Sequence, residues 1–135
     1  TLESRGLGDV YKRQIYAYLI LGLVLNWIFT PIIAANDFGF VFNELSSSAQ
    51  NALLRDFSAF FVATFLFSIL GVITLNSAWF FSAGIVYTCA GIFNLIAIYI
   101  YGTDYNQIFI GEFFLGIFPI ALGTIISYQK KKAKV

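Results

Sequence analysis

One acidic side chain interrupts an otherwise uncharged run: Glu112 is the only charge between Tyr105 and Gln129. A carboxylate in such a run is rare and faces a bundle interior, a partner or a water-filled cavity, where it can bind a cation, exchange a proton or fix helix register. Gly116, Pro119 and Gly123 follow it at i+4, i+7 and i+11. They share its helical face, and small residues at that spacing let a second backbone approach closely. Arg55 is the only cation between Gln14 and Gln129. It opens the second apolar run beside Asp56, at a depth close to that of Glu112, which lies roughly 7 Å into the last run. A bidentate Arg55 to Glu112 pair is therefore expected, neutralising the carboxylate with fixed geometry. Asp56, the next residue, points to a different face.

The remaining polar groups are sparse. Asn26 and Asn94 are mid-run amides, with Thr64, Ser68, Ser82 and Thr88 as lesser groups, all expected in interhelical hydrogen bonds. Ala83, Tyr87, Ala90, Asn94, Ala97 and Tyr101 recur at alternating spacings of four and three, a small-and-polar seam that should face the other helices. Cys89 sits among apolar residues and reads as a small buried packing residue. One cysteine and no histidine leave too few ligands for a zinc site, an intrachain disulfide or a two-cysteine redox motif. No catalytic residue, metal or cofactor is expected, and general acid and base chemistry would rest on very few groups. The aromatic residues look scattered over every run, which suits lipid contact better than a cofactor box.

The elements that must position these groups follow from the charge-free runs. Of 135 residues, 59% are hydrophobic and 11% charged, with mean hydropathy +0.82, whereas soluble domains carry about 25% charged residues. The chain is thus an integral membrane protein whose net charge of +1 implies no nucleic-acid partner. Residues 15 to 36 hold no charge, and a helix needs about 20 residues to cross the hydrocarbon core, so a first span covers 16–34. Residues 57 to 103 hold none for 47 positions, more than twice the length of one span, so the run must turn back once. Leu75-Asn76-Ser77-Ala78 is its only polar interruption, with Trp79 as an interfacial anchor. Spans over 56–75, 79–101 and 107–128 follow, giving an all-α four-helix bundle. Glu112 does not prevent insertion of the last: twelve Ile, Leu and Phe between Ile108 and Ile126, at about −0.3 to −0.6 kcal/mol each, outweigh about 3 kcal/mol for one charge. Barrel strands would alternate apolar and polar, which these runs do not.

Residues 15–129 form one domain and 130–135 a basic tail. Lys130, Lys131, Lys132 and Lys134 place the C-terminus in the cytoplasm by the positive-inside rule, and four spans bring the N-terminus to the same side of a bacterial inner membrane. The loops at 35–54 and 102–106 then face outward. In the first, Phe38, Phe40, Val41 and Phe42 are apolar enough to lie at the headgroups or cover the bundle mouth. Ser47 and Gln50 have capping-box spacing, so the second helix can start near Ser48. Residues 1–14 differ in composition from the rest, and the chain contains no methionine. Gly8 to Gln14 resembles an adapter-derived peptide at the ends of translated metagenomic reads, so 1–14 is expected to be a non-native leader.

A four-span chain of this length, with a long outer loop ending in Leu54-Arg55-Asp56-Phe57 and an acidic residue early in the fourth helix, resembles the small bacterial membrane proteins of the DoxX-like superfamily. The resemblance covers Ile15 to about Tyr128 and is similar to a group with no assigned reaction. Such proteins tend to carry adjacent glycines after the arginine, where this chain has Ser58-Ala59. The resemblance implies the bundle and the Arg55 and Glu112 positions. It also implies loose ties to quinone-linked oxidation complexes or to membrane-protein assembly.

Three functions compete. A non-enzymatic accessory or assembly module, partnered by the bilayer and by a homo-oligomer or larger membrane complex, needs the fewest special residues. A small-solute or proton-coupled carrier needs Glu112 free to exchange a proton, with Arg55 elsewhere. A quinone- or lipid-handling enzyme subunit would place Arg55 and Glu112 at the outer mouth.

Overall fold

The computed structural model describes the backbone of residues 2–104 and 108–134, and side chains of 11–104 and 110–134. The order is α1 (Leu2–Phe29), α2 (Pro31–Asp37), a single 3-10 turn (Phe42–Glu44), α3 (Ser47–Thr74), α4 (Ser77–Tyr101) and α5 (Ile108–Ala133), with no strand among the described residues. α1 packs on α3, α3 on α4, α4 most extensively on α5, and α5 closes the ring on α1. α3 and α5 therefore sit diagonally. α3, α4 and α5 are each long and apolar enough to cross a membrane, and α1 with α2 passes the same test only as a pair bent by 118°.

That bend corrects the first span expected over 16–34. Pro31 occupies the first turn of α2, where a missing N–H costs nothing. The residue before a proline is pushed out of the helical region, and Thr30, at φ −131° and ψ 58°, ends α1 there. The second break corrects a smaller point. Ser46, one residue before the proposed capping box, caps α3 by accepting from Ala49 N at 3.2 Å, while the Gln50 amide donates to the Phe42 carbonyl at 2.9 Å. The turn between α3 and α4 falls where the polar interruption lies, with Leu75 left-handed at φ 53° and Asn76 Oδ1 accepting from Ala78 N at 3.1 Å. α1 runs unbroken through residues 2–14, and Arg13 near its start is buried. The bound at 107 for the fourth span lies outside the described residues.

The core is a column of side chains from each helix: Tyr16, Ile20, Val24 and Trp27 of α1, Phe61 of α3, Phe80, Ala83 and Tyr87 of α4, and Leu122 and Ile126 of α5. Large apolar side chains such as Phe29, Ile73, Phe93, Tyr99 and Ile117 cover the outside, the inverse of a water-soluble surface and the form a lipid-facing one takes. Cys89 belongs to that outside: it is exposed instead of filling the interior. In lipid, association relies on close packing and on hydrogen bonds between helices. The Thr64 and Tyr87 hydroxyls share one of 2.7 Å between α3 and α4. Tyr16 Oη donates one of 2.9 Å to the Leu115 carbonyl between α1 and α5.

α4 and α5 come closest at two glycines. A Cβ on Gly116 would stand 2.5 Å from Thr88 Oγ1 and 3.2 Å from the Gly84 carbonyl, and one on Gly84 would stand 2.8 Å from the Gly116 carbonyl. The face carrying Glu112, Gly116, Pro119 and Gly123 is thus turned to α4, and Gly123 lies under the Phe81 ring.

Candidate functional site

A half-open cleft of about 520 Å³ is lined by residues of α1, α3, α4 and α5 together with Ala34 and Asp37 of α2 and the adjoining Phe38. The 118° bend makes it: a straight continuation of α1 would carry Ala34, Asp37 and Phe38 away from the bundle, whereas the folded α2 brings all three into the lining. Buried Ala34 and Ala35 let α2 lie close to its neighbours.

The walls are aromatic. The Trp27 indole stacks on Phe57 with ring centres 5.0 Å apart and on Phe61 at 6.1 Å, and Phe38 meets it edge-on at 5.6 Å. Phe60 stands edge-on to Phe61 at 5.3 Å and to Tyr87 at 5.1 Å, carrying the ring network from α3 to α4. Phe40 closes on Phe57 from the loop at 5.8 Å. The segment after α2 thus brings Phe38 and Phe40 onto the rings of α1 and α3. These rings looked scattered in the sequence because Trp27, Phe38, Phe57, Phe60 and Phe61 belong to two helices and the loop between α2 and α3. The one legible hint was the aromatic density from Phe57 to Phe61, where spacings of three and four put Phe57, Phe60 and Phe61 on one face.

The polar groups of the lining are Asn26, Asp37, Asp56 and Glu112. Glu112, half-buried, accepts from Asn94 Nδ2 of α4 at 3.3 Å, its only hydrogen-bond partner among the described residues. Arg55 does not meet it. The guanidinium instead binds the adjacent Asp56, Nε to Oδ1 at 2.9 Å, with both side chains 65% exposed, the one ion pair among the described residues. The expected Arg55 to Glu112 pair fails for a topological reason: their helices are diagonal in the ring, and the Glu112 face is directed at α4. Asp56 and Glu112 nonetheless line the same cleft. Asn26 also departs from its interhelical reading, since its Oδ1 and carbonyl both accept from Thr30 Oγ1, at 2.8 and 3.0 Å, in the last turn of its own helix. That bond braces the bend. Along the α4 seam Ala83 and Tyr87 are buried, Ala90 lines the cleft and Tyr101 is exposed.

Trp27 is 2% exposed, and its buried Nε1 has no hydrogen-bond partner among the described residues.

Fold and site together define a multi-pass membrane helical bundle with an aromatic, acid-lined cleft at one end. Comparison with protein families, curated proteins and solved structures finds no match to the chain.

Proposed function

We propose that this protein is a non-enzymatic membrane module that holds a small, largely apolar molecule in the cleft. The carrying observation is the cavity itself: about 520 Å³ bounded by Trp27, Phe57, Phe60, Phe61 and Tyr87, with a few polar groups at its side. Small-molecule sites have this form, about 300–1,000 Å³, mostly apolar, with a few placed polar groups. An accessory or assembly role fits a chain with one cysteine and no histidine. A carrier role is supported by a second observation, that Glu112 is not tied to Arg55. The DoxX-like resemblance belongs to the same proposal and points to a quinone as one occupant.

Retention of ligand tests the reading. Gly111 lines the cleft, and nothing lies within 4 Å of a Cβ built on it, so Gly111→Phe can fill the space without displacing a helix. Native mass spectrometry of the detergent-purified protein is expected to show a drug-sized adduct that Gly111→Phe abolishes. An adduct held equally by both proteins is bulk lipid and removes the reading.

The same proposal places both termini on the cytoplasmic side of a bacterial inner membrane, supported by Lys130 to Lys132 at the end of α5. Reporter fusions at the N-terminus, after Ser47 and at the C-terminus are expected to give inside, outside, inside. An N-terminal reporter sharing the compartment of the Ser47 reporter would show that α1 and α2 enter and leave on one side, leaving three spans.

A further inference from the structure

We infer that the occupant of the cleft is a lipophilic organic cation, seated with its charge at Glu112 and its apolar body against the rings of Phe57 and Phe60. The inference rests on the binding reading above and narrows it to one chemical class.

Charge balance is the first ground. The lining holds three carboxylates, Asp37, Asp56 and Glu112, and no lysine or arginine. Asp56 is already matched by Arg55, and Asp37 is exposed at the end of α2. Glu112 is the one left half-buried, with a single neutral amide donor among the described residues, at the long distance of 3.3 Å. Charges at membrane depth are paired or face a pathway, and an amide does not cancel a charge. A cation entering the cleft supplies what the chain withholds, whereas an anion would meet the like charge of Glu112.

The walls are the second ground. Ring faces carry negative potential and attract a cation placed within about 6 Å, most strongly at tryptophan. The cleft offers the partly exposed rings of Phe57 and Phe60, and the largely buried Trp27, Phe61 and Tyr87 complete its aromatic lining. A bare metal ion would instead need several converging oxygens. Among the described residues no three His, Cys, Asp or Glu side chains are grouped to hold one. A cation with an apolar body uses both features at once.

Tetraphenylphosphonium and tetraphenylborate have the same shape and opposite charge, so they separate charge from fit. Titration calorimetry of the purified full chain in uncharged detergent, with protein-free micelles as blank, is expected to show saturable binding of the phosphonium. Its affinity should be at least about tenfold above that of the borate, and Glu112→Gln should lose at least about tenfold of it. In a Trp79→Phe protein, where Trp27 is the sole indole, the emission should shift as the phosphonium binds. Borate binding equal to or tighter than phosphonium binding, or an unchanged affinity in Glu112→Gln, overturns the inference. If Glu112→Gln does not fold, the comparison of the two ions on the unaltered chain decides it alone. Binding of a neutral short-tailed quinone with neither ion bound would overturn the cation class and leave the binding reading standing. Binding of none of the three, with no retained adduct, would remove both.

Discussion

Alanine at Gly116 is expected to cost the bundle about 1–3 kcal/mol, the range for forcing extra atoms into a packed interior, while alanine at Gly111, five residues earlier on the same helix, should cost almost nothing. The two differ only in what a Cβ would meet. At Gly116 it would stand 2.5 Å from Thr88 Oγ1 and 3.0 Å from Thr88 N, and at Gly111 nothing lies within 4 Å. Thr88 N and the Gly84 carbonyl are backbone, so they cannot swing aside, and α4 and α5 must separate along their whole contact. Because dispersion between close-packed helices is a main source of association in lipid, separation removes stabilisation that no hydrophobic effect replaces. Gly84→Ala should behave alike, since its Cβ would stand 2.8 Å from the Gly116 carbonyl. The double variant should cost less than the sum, because helices already parted by one methyl admit the second more easily. Denaturant titration in mixed micelles measures all four proteins. Equal stability of Gly116→Ala and Gly111→Ala would mean that the close crossing does not exist.

Tyr16→Phe is expected to cost about 1–3 kcal/mol, the penalty for a buried acceptor left unpaired, although every ring contact survives the change. The reason lies on another helix. Pro119 has no N–H, so it cannot satisfy the carbonyl four residues before it, and that carbonyl belongs to Leu115. Tyr16 Oη donates to this oxygen at 2.9 Å, the kind of outside donor that makes a proline tolerable in a membrane helix. Phenylalanine keeps the stacking on Phe118 at 5.6 Å and the edge contact with Phe80 at 6.5 Å, so only the hydroxyl is lost. In a Pro119→Ala background residue 119 regains an N–H aimed at Leu115 O, and the cost of Tyr16→Phe should fall by at least about 1 kcal/mol. A cost that is the same in both backgrounds would show that tyrosine and proline are not linked. The pair also ties α1 to α5, the contact that closes the ring.

The amino-acid sequence by itself determined the class of molecule and most of its elements. Runs without charge can only be satisfied in lipid by helices, so α3, α4 and α5 and the turn at Leu75-Asn76 were legible from composition and length. The face shared by Glu112, Gly116, Pro119 and Gly123 was legible too, because helical periodicity alone groups them. Three things were decided only by tertiary structure. Thr30-Pro31 permitted either a kinked span or a break, and the choice of a 118° fold-back depends on what α2 packs against. Arg55 and Glu112 matched in depth and charge, yet depth says nothing of azimuth around the ring, and the diagonal placement of α3 and α5 sends Arg55 to Asp56 and Glu112 to Asn94. Trp27, Phe38 and Phe57 lie far apart along the chain, so their rings meet around a cleft only once the bundle has closed and α2 has turned back onto it.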